Sequence, residues 1–508
     1  MKRSMSKVEV KVCGMAVLGC LLLNSPALAV DEYATPESQG VPSAAILKWI
    51  DACERELDHM HGFVLRRHGK VIAEGSWKPF DTLNETHMLY SHSKSFTSTA
   101  IGFLVDDGKL DLDARVVDLF ADKVPTNAPE NLRQMRVRDL LSMNTGVTKG
   151  HTIADGGDWV ANYFKKDFAL PPGTKMRYDS DATFMLSALV GRLTGKDLMT
   201  FLGERLFRPI GIEKAWSTTS PQGVPCGGWG MNMTTRELAR FGQFCLDGGV
   251  WNGERLLSRE WLALATARQT WSGAIKVSSQ TLGSGSDWEQ GYGFQFWRCR
   301  HGAWRCDGAY GQLTVGFPSE DAVLSVHAGL GDMQHELDLI WKHLLPAFGE
   351  KPLAEDAEAS SALAKRCREL AFEPIKGVLT GGEALLGRAF EIETETRHGF
   401  KSFRLDRAAD GWTATLVTPS GPQVFPVGFG AWREGRILVE TRTYEPLMAI
   451  VGEQTVRSSG AVRPDGSLFV RIYLTGTTGR LDLTLTPADG GRLHGRLWCL
   501  DVYEFDGK

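Results

Sequence analysis

Ser91 and Lys94 are the first residues in this chain whose types and spacing suggest chemistry. They stand three residues apart in Ser91-His92-Ser93-Lys94. On a helix that spacing puts a hydroxyl and an amine on one face, one turn apart. A lysine buried there gives up its proton readily and can activate the serine as an acyl-transfer nucleophile. The same spacing recurs at Ser4-Met5-Ser6-Lys7, so spacing alone does not choose a nucleophile. Tyr178-Asp179-Ser180 is a second group, and the only Tyr-x-Ser in the chain. A tyrosine over the nucleophile can relay the serine proton and later protonate a leaving group. The hydroxyl of Ser180 can bond the lysine or a substrate amide. Asp179, Ser180 and Asp181 are equally good caps for a following helix. The third group is Gly308-Ala309-Tyr310-Gly311-Gln312, ahead of a strand-like stretch at 313–317. Small residues let a substrate lie along a strand edge, where a main-chain amide can hold an oxyanion. A plain glycine-rich turn has the same composition.

These groups need a scaffold, and the hydrophobic pattern predicts one. Residues 63–73 read as a hairpin turning at His68-Gly69. Residues 91–106 read as a helix stopped by Asp107-Gly108, 182–193 as a helix ending at Thr194-Gly195, and 235–246 as one ending at Gly248-Gly249. A short helix is expected at 140–146. Residues 292–297, 304–305 and 313–326 read as strands. A hairpin, then helices, then late strands predicts a mixed α/β (α+β) domain over 30–350. Its antiparallel sheet would join the early hairpin to the late strands, with helices flanking it. Residues 351–374 read as a charged linker or bridging helix. Residues 375–508 alternate apolar and polar side chains, as in Leu468, Val470, Ile472 and Leu474. About seven or eight strands are expected there, in an all-β barrel or sandwich.

The chain has 508 residues, 43% hydrophobic and 23% charged, with a formal charge of −4. That is a globular balance, and the lack of a basic stripe argues against nucleic acid as a partner. Residues 1–29 read as a secretory signal. Lys2, Arg3, Lys7 and Lys11 precede a short apolar run, and Ala27-Leu28-Ala29 is a small-residue cleavage site. Cleavage after Ala29 predicts a periplasmic or secreted protein, and the apolar run is too short for a stable membrane span. Lipid attachment at Cys20 is the alternative. Of nine cysteines, seven follow the signal, an odd number. Cys299 and Cys306 flank a predicted hairpin and either pair across it or stand as free strand cysteines. His59-Met60-His61 reads as a solvated helix end. No motif calls for a metal or an organic cofactor. Oligomeric state is left open.

Taken in order, the three groups resemble landmarks of the serine β-lactamase and penicillin-binding-protein superfamily. More narrowly the chain looks like the class C β-lactamase-related hydrolases, which include esterases, D-aminopeptidases and 6-aminohexanoate-dimer hydrolase. The resemblance spans about residues 40–345 and includes the stretches 104–113, 140–146 and 227–242. It implies that Ser91 attacks an ester or amide carbonyl while Lys94 and Tyr178 take its proton. The oxyanion would sit between the main-chain amides of Ser91 and Ala309, with Ser180, Tyr310 and Gly311 lining the substrate. Two departures stand out. Ser180 replaces the asparagine usual in class C β-lactamases, and Trp304-Arg305-Cys306-Asp307 stands where a Lys-Thr-Gly triad would be. Both look more like the 6-aminohexanoate-dimer hydrolase and esterase branch. Arg305 either replaces the missing cation or is a solvated hairpin arginine. The leading expectation is a hydrolase of small esters or amides. The alternatives are a β-lactamase or D-Ala-D-Ala carboxypeptidase/D-aminopeptidase, and a non-catalytic binding module.

Overall fold

The hairpin forms as the pattern predicts, with strands Met60–Arg67 and Lys70–Ser76. His68 and Gly69 between them both have positive φ, 48° and 76°, the two-residue turn whose twist suits a hairpin. A computed structural model describes residues 31–148, 153–154, 156–272, 276–277, 280–281, 285–393, 399–439, 452–487, 491–498 and 502–507. The expected signal, its Ala29 cleavage site and Cys20 therefore lie outside the described residues. Among the described residues no helix is long and apolar enough to cross a membrane.

The hairpin joins a six-stranded sheet with Trp297–Arg298, Trp304–Gly308, Gln312–Phe317 and Ala322–Ala328. Met60–Arg67 pairs antiparallel with Ala322–Ala328, so the early hairpin meets the late strands as expected. The run expected as one strand over 313–326 is two, because residues 318–321 turn the chain between them. The segment 292–296 is irregular rather than extended, with Gln295 in the left-handed region at φ 68°. Both sheet faces are covered. Helix Ser43–Glu56 sets Trp49 against Phe63, centroids 5.0 Å apart. Helix Thr235–Leu246 covers the other face, where Ala239 packs on Val64. Two-sided burial explains why Gln312–Phe317 and Ala322–Ala328 are buried throughout instead of alternating.

Residues 357–369 form a helix packed on the first domain, with Leu363 and Leu370 in its core. Beyond it lies a ten-stranded, nearly closed β barrel running from Ala389–Glu391 to Val502–Gly507. A bridge between Ile392 and Gly507 brings the first strand back to the last. The sequence pattern undercounts these strands for a physical reason. Gly421–Gly428 carries Pro422 and Pro426, and Arg433–Val439 is mostly polar, so neither alternates like a strand. Phe390, Phe403, Trp412, Val470, Ile472 and Leu483 fill the interior as a second core.

Tyr473 points the other way and is nonetheless 1% exposed. It packs against His59, Phe80, Phe372 and Trp432 at the junction with the first domain. Arg457 of the barrel holds both carboxylate oxygens of Glu85, at 2.6 and 2.8 Å. His59 and His61 are thus buried at a strand start, not a solvated helix end, and His61 Nδ1 lies 3.0 Å from His87 Nε2. Among the described residues no cluster of His, Cys, Asp or Glu is arranged to hold a metal ion.

Candidate functional site

Tyr90–His92 forms a 3-10 turn that leads into helix Ser93–Asp106. Its first turns are rich in buried hydroxyls, and most of them find a partner. Ser93 Oγ donates to Tyr90 O at 2.7 Å, Ser95 Oγ to Gln295 O at 2.7 Å and Thr97 Oγ1 to Gly227 O at 2.9 Å. These bonds fix the helix start against two neighbouring loops. Ser91 remains partly exposed, while Lys94 is 1% exposed.

Lys94 Nζ has three polar neighbours. It lies 2.9 Å from Ser91 Oγ, 2.9 Å from Ser180 Oγ and 2.6 Å from Gly228 O. Burial depresses its pKa from 10.5 to about 7, against the opposing pull of Asp179, Asp181 and Asp307. A neutral amine has two N–H donors and one lone pair. Donation to Gly228 O and Ser180 Oγ leaves the lone pair for the Ser91 hydroxyl. Gly228 is needed for this arrangement, since a Cβ there would lie 2.6 Å from Ser180 O.

Tyr178 lies close enough to Ser91 to interact with it, and its ring lies under Lys94 Nζ, 4.8 Å from the centroid. It stacks on Trp297 at 5.6 Å and meets Tyr292 edge-on at 6.0 Å. Burial pushes its pKa up, which keeps it protonated at neutral pH. Asp179 caps helix Ser180–Thr194, accepting from Asp181 N at 3.1 Å. The capping expectation therefore holds together with Ser180's contact to Lys94. Lys166 holds both flanking carboxylates, Asp179 at 2.9 Å and Asp181 at 2.6 Å.

Ala309, Tyr310 and Gly311 form the turn between Trp304–Gly308 and Gln312–Phe317. A Cβ on Gly308 would lie 2.0 Å from Leu89 O and 3.1 Å from His92 N, so the missing side chain lets this turn press against the Ser91 segment. Tyr310 and Gly311 both adopt positive φ, 67° and 87°. Gln312 Nε2 ties the turn by donating to the carbonyls of Ala309, Tyr310 and Ala328. All seven predicted residues thus fall around one locus.

One expectation is corrected and one open alternative is decided. Arg305 is not a solvated hairpin arginine. It is 0% exposed, lies over Trp288 and Trp297, and bonds Asp307 at 2.6 Å and Asp287 O at 3.0 Å. Cys299 and Cys306 are both buried free thiols. Arg305 contacts Cys299 Sγ at 3.2 Å, so Cys306, next to Arg305 on its strand, points to the opposite face and cannot pair with it. Sequence reasoning gave no site role to Gly228 or Asp307, though it named their segments, and missed Lys166 and Trp297, which join the site from other segments.

An antiparallel sheet covered by helices, with hydroxyl, amine and phenol gathered at a helix start, has the layout of a β-lactamase-like fold. The family model for Beta-lactamase matches residues 36–338, more than half the chain, and the chain belongs to that hydrolase family. It is 25% identical over 260 residues to 6-aminohexanoate-dimer hydrolase of Paenarthrobacter ureafaciens, covering 47% of this chain and 66% of that protein. It is 28% identical over 283 residues to penicillin-binding protein 4 of Amycolatopsis lactamdurans, covering 49% and 71%. A Bacillus anthracis structure assigned as a 6-aminohexanoate-dimer hydrolase superposes with TM-score 0.50 at 19% identity, covering 62% of this chain and 86% of that one.

Proposed function

We propose that the protein is an exported serine hydrolase that cleaves a small ester or amide through an acyl-enzyme on Ser91. The observation that carries this is the environment of Lys94: a buried amine with a pKa of about 7, bonded on two sides and 2.9 Å from Ser91 Oγ. Lys94 takes the Ser91 proton as Oγ attacks the carbonyl. The main-chain amides of Ser91 and Ala309 hold the oxyanion. Tyr178, kept protonated by burial, gives its proton to the leaving group and is reprotonated from Lys94. Water then attacks the acyl ester with the same groups acting in reverse. Export rests on residues 1–29, and N-terminal sequencing of the secreted protein, with Val30 first, is its direct check.

The test is intact mass after treatment with a fluorophosphonate. One adduct, mapped to the Ser91 peptide, is expected. A folded protein that takes up no adduct would sink the serine-hydrolase reading. The pH dependence is a second expectation. Lys94 must be neutral to accept a proton, so log kcat/KM should fall with unit slope below about pH 7 and level off above it. A profile flat from pH 5 to 9 would remove Lys94 as the base.

Similarity to penicillin-binding protein 4 favours β-lactam or peptide turnover as the second reading. Arg305 argues against it, because its guanidinium is sealed beneath Trp288 and Trp297 and paired with Asp307, away from a ligand carboxylate. Nitrocefin turnover should therefore be slower than turnover of a p-nitrophenyl ester, and the opposite ranking would promote the second reading.

A further inference from the structure

The turn between strands Leu468–Leu474 and Arg480–Thr486 of the barrel is a hairpin tip, a place where side chains ordinarily face solvent. Here Thr475 and Thr477 are 2% exposed and Thr478 is 7% exposed. The segment that leads into Ser91 packs against this tip. Met88 N–H donates to Gly476 O at 2.9 Å. The hydroxyls of Thr478 and Tyr90 lie 2.8 Å apart in a hydrogen bond. The tip is itself stiff: Thr477 Oγ1 donates to Leu474 O at 3.0 Å and accepts from Gly479 N at 2.9 Å.

Tyr90 immediately precedes Ser91 and has φ 48°, a region that residues with a side chain rarely occupy and that must be held by the surroundings. Its ring meets Tyr310 edge-on at 5.6 Å. The side chain next to Ser91 in sequence therefore touches both the turn that carries Ala309 and the tip of the second domain. Arg457 anchors the barrel at this junction through Glu85 and Pro79 O.

We propose that Thr478 is a positioning residue for the hydrolase site, holding Tyr90 in its strained conformation so that Ser91 Oγ stays aligned with Lys94. The β barrel is then part of the catalytic unit rather than an appended module. This inference rests on the reading of Ser91 as nucleophile. It concerns alignment, not substrate contact, so it predicts a loss in kcat with KM little changed.

The test uses the full chain and compares Thr478→Val, which keeps shape but removes the hydroxyl, with Thr478→Ser, which restores it. Fluorophosphonate labelling rate and kcat on a p-nitrophenyl ester should both fall about tenfold in Thr478→Val, with KM within about twofold. Thr478→Ser should recover most of both. Tyr90→Phe removes the same bond from the other partner and should match Thr478→Val, with no further loss in the double variant. If Thr478→Val does not fold, Tyr90→Phe decides alone. Parent-like rates in whichever of these variants folds overturn the proposal while leaving the hydrolase reading intact. No labelling of the parent overturns both.

Discussion

Ser91→Ala is expected to lower kcat by about 10⁴-fold or more, with the fold retained. Losses of this size follow when the nucleophile of a covalent mechanism is removed, because the neighbouring groups then have nothing to activate. The structural cost should be small. Ser91 is partly exposed, and its side chain bonds Lys94 Nζ at 2.9 Å. Lys94 keeps Ser180 Oγ and Gly228 O as partners. The check is kcat/KM on a p-nitrophenyl ester beside the thermal midpoint of both proteins. Turnover within tenfold of the parent at an unchanged midpoint would mean that another residue carries the chemistry.

Lys94→Met should cost about 10³- to 10⁵-fold in kcat/KM and slow fluorophosphonate labelling in parallel. Methionine matches the length of the lysine stem, so packing is nearly preserved. What disappears is the amine 2.9 Å from Ser91 Oγ. The variant should also lose a pH signature in stability. In the parent, Lys94 has a pKa of about 7 when folded and about 10.4 when unfolded. Between those values the unfolded chain holds one more proton, so the parent gains stability relative to the variant as pH rises from about 7. Below pH 7 both states hold the proton and the difference is flat. Urea unfolding of the two proteins at pH 6, 8 and 9 reads this directly. A variant that labels as fast as the parent would show that Lys94 is only a structural residue.

Much of the site is legible in the sequence. Ser91, Lys94, Tyr178 and Ser180 follow local rules: a three-residue spacing at a helix start, and a Tyr-x-Ser at the cap of helix Ser180–Thr194. The hairpin 60–76 and the helix Thr235–Leu246 are local too, written in turn residues, glycine stops and a Thr234–Glu237 capping box. The strands Gly421–Gly428 and Arg433–Val439 are not legible in this way, because sheet neighbours and not their own alternation make them strands.

Residue type, and spacing within one helix or turn, bring out which side chains are candidates for the chemistry. Their states come from tertiary contacts. Lys94 has a depressed pKa because Gly228, Ser180 and the sheet enclose it, and Arg305 is sealed because Trp288 and Trp297 converge on it from elsewhere. The hairpin tip at Thr475–Gly479 belongs in sequence to the all-β stretch over 375–508. Only the docking of the barrel, through Tyr473 and Arg457, carries Thr478 across nearly four hundred residues of chain to within 2.8 Å of Tyr90. Burial, field and alignment depend on which segments meet, and those meetings are long-range contacts that no local pattern encodes.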